Sequence, residues 1–236
     1  MGPPEVAEVL GTGEMTVHGR IPGSSNATLL VTCTLHGREL LAVYKPARGE
    51  RPLWDFPTGL HRREVAAYEL ARTLGWDLVP ETVERAEGPY GPGSVQRFVA
   101  EDGEAHYFTL REQPAWWPTL RMFAAFDVVA NNADRKSGHV LLAEGRLWGI
   151  DNGLCFHEEP KLRTVVWDFA GEQIDPVLLG DLRRLNRDGL PAPLAELLEP
   201  EEQEALLLRA ATLARAGELP PPSDRGRWPP YPWPLV

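Results

Sequence analysis

The strongest constraint on this chain is a change of pattern near its middle. Before about residue 100, short runs of apolar and β-branched residues are cut by Gly, Pro, Ser and Asn; after it, most segments carry apolar residues at helical spacing. Residues 14–20 and 28–34, EMTVHGR and TLLVTCT, flank Ile21-Pro22-Gly23-Ser24-Ser25-Asn26 and predict a β-hairpin with a small-residue tip. A third strand is expected from Glu39 to Tyr44, ending at Lys45 and closed by Pro46. Residues 58–75 predict a helix, with Gly75 as its stop. Strands from Leu78 to Glu84 and from Ser94 to Val99, on either side of a Gly/Pro turn, complete a sheet-rich first part.

In the second part, Pro118 to Ala130 reads as a buried helix, followed by a polar loop from Asn131 to His139. Two short strands, Val140 to Ala143 and Arg146 to Ile150, meet at Glu144-Gly145, and the second runs into Asp151-Asn152-Gly153. Helices are expected from Pro176 to Asn186 and from Pro200 to Ala216. The latter opens on Glu201, Glu202 and Glu204 and closes on Arg209 and Arg215, which complements the helix dipole. The stretch from Leu219 to Val236 holds seven prolines and should run extended. Trp228, Tyr231 and Trp233 are costly to leave in water, so this tail is expected to dock on the C-terminal part with those rings substantially buried.

Composition narrows the function classes. At 236 residues the chain has room for one two-lobed domain, and 43% hydrophobic with 25% charged residues is ordinary for a folded protein. A net charge of −10 disfavours nucleic acid and anionic membrane surfaces as partners. No run approaches the ~20 apolar residues that cross a bilayer. MGPPEVAEVL lacks the flanks of a signal peptide, so a cytoplasmic protein without a transmembrane segment is expected. Cys33 and Cys155 cannot make a zinc quartet and fit a reducing compartment. Against 21 arginines there are three lysines, Lys45, Lys136 and Lys161. Arg cannot replace Lys wherever a compact point charge is needed, so these three invite a specific use.

Asp134, His139 and Asp151 would converge at one end of the second hairpin. Two carboxylates and a metal-competent imidazole suit phosphoryl transfer. One carboxylate would orient or accept the proton of an attacking hydroxyl, and the other, with His139, would hold divalent cations against the phosphates of ATP. Lys45, at a strand end in the other lobe, is placed to meet the α- and β-phosphates, with Glu64 as its acidic partner and Glu69 in reserve. The hairpin tip Gly23-Ser24-Ser25-Asn26 would cover the phosphates with backbone N–H groups.

These residues carry a resemblance. The stretches Gly23-Ser24-Ser25-Asn26, Val43-Tyr44-Lys45-Pro46, Glu64-Val65-Ala66-Ala67-Tyr68 with Val79-Pro80, Gly93-Ser94-Val95-Gln96-Arg97-Phe98-Val99, Asn132-Ala133-Asp134-Arg135 and Ile150-Asp151-Asn152-Gly153-Leu154 follow one another in the order of the phosphatidylinositol 3-/4-kinase superfamily. Across residues 20–156 the chain most closely resembles the type II phosphatidylinositol 4-kinase branch and the small bacterial proteins grouped with it. The resemblance implies an α+β, bilobal kinase-like fold, with a sheet-rich N-lobe over residues 1–100 and a mainly helical C-lobe over 101–218; the Pro-rich stretch over 219–236 is read as a tail from its composition.

It also implies roles. Lys45 resembles the ATP-phosphate lysine, with Ser24, Ser25, Asn26 and Glu64 around the nucleotide. Gln96, Arg97, Phe98 and Val99 resemble the adenine-binding hinge, Asp134 the catalytic-loop aspartate and Asp151 the metal-binding aspartate. The family usually has Asn five residues after the catalytic aspartate, where this chain has His139. A neutral imidazole suits Mn²⁺ better than Mg²⁺, and protonation would compete with the metal near the reference value of ~6.5. The implied reaction moves the γ-phosphate of ATP to a hydroxyl of a small molecule, lipid or protein. An atypical Ser/Thr protein kinase and a non-catalytic nucleotide-binding pseudokinase are the alternatives. Beyond residue 157, Lys161 and Arg163 are the nearest equivalents of the elements with which lipid kinases reach a membrane.

Overall fold

A computed structural model describes residues 1–23, 26–103, 105–223 and 229–235, so Ser24, Ser25 and Trp228 lie outside the described residues. The chain opens with a helix that the patterns above do not mark, α1 (Pro3–Thr12). Its prolines sit in the first turn, where a missing N–H costs nothing, and Val6, Val9 and Leu10 are buried together. Then follow β1 (Glu14–Arg20), β2 (Leu29–Leu35), β3 (Arg38–Pro46), α2 (Leu60–Leu74), β4 (Thr82–Arg85) and β5 (Gly93–Arg97). The strands form one antiparallel sheet in the order β1-β2-β3-β5-β4.

Helix α1 covers one face of that sheet, against Val31, Cys33, Ala42, Tyr44 and Val95. Because side chains alternate along a strand, Val43 and Lys45 fall on the opposite face. The expected strand from Leu78 is shortened to β4. Pro80 has no N–H for a ladder, and Leu78 and Val79 are buried in the helical core instead.

Glu50 receives the first turn of α2: its carboxylate accepts from the Gly59 N–H at 2.9 Å, the His61 N–H at 2.8 Å and the His61 ring at 2.6 Å. The helix stops at Gly75, whose φ of 76° lets the Trp76 N–H turn back to the Ala71 carbonyl at 2.8 Å. Between these caps, Ala66, Ala67, Leu70, Ala71 and Leu74 of α2 are buried in the second lobe's core.

That lobe contains α3 (Tyr107–Leu110), α4 (Trp117–Ala130), the hairpin β6 (Val140–Ala143) and β7 (Arg146–Gly149), α5 (Pro176–Asp188), α6 (Ala192–Ala195) and α7 (Pro200–Ala216). Phe123, Phe126, Leu182, Leu206 and Leu213 are at most 3% exposed within its core. Helix α7 has the bounds read from the sequence. Pro200 stands at its first position, the Glu202 carboxylate accepts from the Glu199 N–H at 3.1 Å, and Gly217 stops it at φ 73°. A sheet-rich lobe thus sits against a mainly helical one, as expected.

The tail departs from expectation in one respect. It does dock on the helical lobe, through the buried Pro230 and Pro232, but Tyr231 is 45% and Trp233 89% exposed. Successive residues of an extended chain face opposite ways, and here the prolines take the inward positions and the rings the outward ones. Among the described residues, no helix is long and apolar enough to cross a membrane.

Candidate active site

Strand β3 directs Lys45 toward α2 and the loop after β7. Its ammonium donates to Glu64 and, at 2.7 Å, to Asp151 Oδ1. Glu64 is buried, and its Oε2 accepts from the Asn152 N–H at 2.9 Å. One residue of the sheet, one of α2 and two of a C-lobe loop therefore meet. Glu69, the reserve partner, pairs instead with Arg72 at 2.7 Å. Arg63, beside Glu64 in sequence, faces Glu202. Asp151 adopts a left-handed backbone, φ 55°, which Asp tolerates better than most residues.

The electrostatics follow from this contact. Burial works against the Lys45 ammonium, but the charges of Asp151 and Glu64 outweigh it and raise its pKa. Lys45 in turn holds the Asp151 carboxyl well below the usual carboxylate range, although that side chain is half exposed. Burial pushes the Glu64 carboxyl up against the pull of Lys45, and the Asp151 charge adds to the rise.

Helix α4 ends at Asn131, φ 52°, and the loop behind it carries Asp134. The Asp134 N–H donates to Asn132 Oδ1 at 2.9 Å, and the Lys136 ammonium lies 3.1 Å from Asp134 Oδ2. Burial raises the Asp134 pKa despite that ammonium, so this carboxylate is a stronger base than an exposed one.

His139 closes the loop with Nε2 3.5 Å from Asp151 Oδ2. Burial pushes its pKa down to about 4, so the imidazole is neutral at physiological pH and the acid competition expected near ~6.5 moves down with it. A separation of 3.5 Å is compatible with two donors bonded to one ion at ~2.0–2.2 Å. The Lys136 N–H points at Nδ1 from 3.4 Å, so binding through Nε2 requires the tautomer that gives up this contact. Among the described residues no three His, Cys, Asp or Glu side chains gather as a metal site, so an ion beside Asp151 would take its other ligands from phosphates and water.

A buried pair missing from the sequence reading ties these loops together. Asp127 and Arg135 are both 0% exposed, with Arg135 Nε 3.1 Å from Asp127 Oδ1. Asp127 also accepts from Asn132 Nδ2 at 3.1 Å and Thr164 Oγ1 at 2.9 Å. Arg135 reaches the carbonyls of His139 at 3.3 Å and Ile150 at 3.1 Å, and Asn152 Oδ1 at 2.8 Å. The one signal for it is an aspartate in the apolar run from Met122 to Ala130 that ends helix α4.

The remaining candidates are more scattered. Asn26 Oδ1 accepts from the Arg51 N–H at 3.0 Å. Gln96 and Arg97 lie within β5, Gln96 donating to Thr82 at 2.8 Å and Arg97 pairing with Glu81 at 2.6 Å and Glu144 at 2.7 Å. Phe98 and Val99 follow in the passage between the lobes; the Phe98 N–H donates to the Leu41 carbonyl at 2.9 Å, and Val99 packs with Ala143 and Trp148. A separate groove of about 370 Å³ lies between α2, β4 and residues 193–197, and none of Lys45, Asp134, His139 or Asp151 lines it.

No protein-family model matches the chain. Protein Rv2133c of Mycobacterium tuberculosis (strain ATCC 25618 / H37Rv) is 42% identical to it over 265 aligned residues, covering 96% of this chain and 94% of the relative. The chain belongs to the Rv2133c family. Solved structures of far lower identity show the fold of this Rv2133c-family chain. The Golgi casein kinase with Mn/ADP bound matches with a TM-score of 0.62 at 14% identity, over 90% of this chain and 74% of that one. Hydra Fam20 with sugar matches with a TM-score of 0.58 at 13% identity, over 90% and 87%. The architecture is therefore a bilobal kinase fold.

Proposed function

We propose that this protein is an ATP-dependent phosphotransferase of the phosphatidylinositol 3-/4-kinase-like type, moving the γ-phosphate of ATP to a hydroxyl of its acceptor. The observation that carries the reading is the meeting of Lys45, Glu64 and Asp151 from the two lobes within hydrogen-bond reach. Residues 1–100 serve as the nucleotide-covering lobe, 101–218 carry the catalytic and metal loops, and 219–236 form the tail.

Lys45, kept charged by two carboxylates, binds the α- and β-phosphates. Asp134 takes the proton of the acceptor hydroxyl, and its burial makes it a better base for that step. Lys136, 3.1 Å from Asp134, balances the charge that gathers there. Asp151 and His139 hold the divalent ion, Mn²⁺ or Mg²⁺, which when bound supplies positive charge against the phosphates. A nitrogen donor favours Mn²⁺, and the Golgi casein kinase, a neighbour in fold, was solved with Mn/ADP. The acceptor is a small molecule, a lipid or a protein.

Incubation with γ-labelled ATP and Mn²⁺ or Mg²⁺, alone and with cell extract, tests the reading. Label should leave ATP in a reaction lost in Asp151→Asn. ATP that stays intact with either ion and with extract would overturn it.

A further inference from the structure

We propose that residues 229–235 of the tail are a positioning clamp on the loop that carries Asp134 and Lys136, with Trp167 as its anchor. The proposal deepens the phosphotransfer reading and rests on it for the identity of that loop. Its basis is where the loop's backbone N–H groups go. The Asn132 N–H donates to Asp127, that of Ala133 to Leu154 at 2.8 Å, that of Asp134 to Asn132, and that of Arg135 to Arg163 at 3.1 Å. The next firmly bonded amide, at Ser137, donates to the carbonyl of Leu235 at 2.9 Å. A buried N–H must find an acceptor, and Ser137, 0% exposed, finds it in the tail. The Ser137 hydroxyl beside it is buried without a partner among the described residues.

A second attachment lies five residues earlier. The Pro230 carbonyl accepts from the Thr164 N–H at 3.1 Å and from Trp167 Nε1 at 3.1 Å. Thr164 belongs to the segment that flanks Arg135: the Arg135 N–H donates to Arg163, the Val165 N–H returns to Arg135 at 3.1 Å, and the Thr164 hydroxyl holds Asp127. The clamp thus grips the loop itself at Ser137 and, through Thr164 and Trp167, the neighbouring segment that is bonded to Arg135.

In all three contacts the body donates and the tail accepts. A proline-rich strand suits this arrangement. Its residues are held extended before docking, and Pro brings no N–H of its own that burial would leave unpaired. Burial of Pro230 and Pro232 under exposed Tyr231 and Trp233 agrees with a segment selected for its carbonyls and prolines rather than its rings.

Hydrogen exchange at the Ser137 amide tests the clamp in the full chain, in Trp167→Phe, which removes one donor to Pro230, and in a chain lacking residues 229–236. Exchange should be about tenfold faster without the tail, the equilibrium worth of one hydrogen bond, and clearly faster in Trp167→Phe. ATP affinity should stay within about twofold while kcat falls about tenfold at unchanged KM, a split that general destabilisation would not produce. Should the shortened chain fail to fold, Trp167→Phe decides. Unchanged Ser137 exchange in the folded variants overturns the proposal, as does faster exchange with an unchanged kcat. If the wild type transfers no phosphate but Ser137 exchange accelerates in the variants as described, the result supports the clamp and counts against the phosphotransfer reading alone.

Discussion

Asp127→Asn is the substitution whose cost the structure defines best. Both Asp127 and Arg135 are 0% exposed, and among the described residues the Asp127 carboxylate is the only anion within hydrogen-bond reach of Arg135, which also meets two carbonyls, the Asn152 amide oxygen and the face of the Phe123 ring. Neutralising Asp127 leaves a buried guanidinium without its counter-charge and puts an amide N–H₂ against either the Asn132 donor or the Thr164 hydroxyl, whichever oxygen it replaces. Removing one partner of a buried pair costs about 3–5 kcal/mol. At ~2–4 °C per kcal/mol for a chain of this size, the melting temperature should drop by roughly 6–20 °C. Urea unfolding followed by circular dichroism gives the free energy, with calorimetry for the midpoint. The double variant Asp127→Leu/Arg135→Met should recover part of the stability, because no charge is then stranded, yet it should not recover turnover, because the tie between the catalytic and metal loops is gone. An Asp127→Asn protein within about 1 kcal/mol of wild type would show that Arg135 does not depend on the Asp127 charge.

Lys45→Ala and Asp151→Ala should each weaken ATP–metal binding by about tenfold or more by calorimetry, the scale of a charge-assisted hydrogen bond; unchanged affinity in both would remove the site. His139→Asn should move the ion preference from Mn²⁺ toward Mg²⁺, and an identical ratio of Mn²⁺ to Mg²⁺ turnover in both proteins would show that the imidazole is no ligand. Glu50→Gln should cost about 1 kcal/mol at neutral pH through the first turn of α2. Burial opposes the Glu50 charge, but the His61 ring and the amides of His61, Gly59 and Leu60 outweigh it and hold its pKa below 4.5. Its contribution is therefore present above 4.5 and lost as pH falls through the lower folded value, so the gap between the two proteins' urea midpoints should close on acidification; a gap that persists unchanged at about pH 3 would contradict this.

What could be read beforehand depended on how local its cause is. Helix α7 carries its own start and stop in Pro200, Glu202 and Gly217, and its bounds were legible to the residue. Strand β2 likewise shows its β-branched run between turns. Helix α1 was missed although Pro3 and Pro4 mark its start, because ten residues hold too few turns for Val6, Val9 and Leu10 to stand out as a period. The sequence puts Glu64 ahead of Glu69 as the partner of Lys45, with no local cause that decides between them. Both glutamates lie on α2, and the choice is made by how the helix rotates its buried alanines toward the C-lobe. The Asp127–Arg135 pair and the attachment of Pro230 and Leu235 join residues far apart in sequence or hidden in loops, where no periodicity exists to announce them. The exposed Tyr231 and Trp233 show the limit of arguing from apolar area alone, since the docking contacts of the tail are carbonyls and proline rings.

In the proposed reaction Asp134 acts on the acceptor hydroxyl while Lys45 and Asp151 hold the nucleotide. Asp134→Asn separates these roles in one comparison of ATP affinity and of label transferred from γ-labelled ATP to acceptor in cell extract, at saturating nucleotide and metal. The dissociation constant should stay within about twofold of wild type and turnover should fall by about two to four orders of magnitude, the usual worth of a positioned base. Near-wild-type turnover in Asp134→Asn would contradict that role for Asp134.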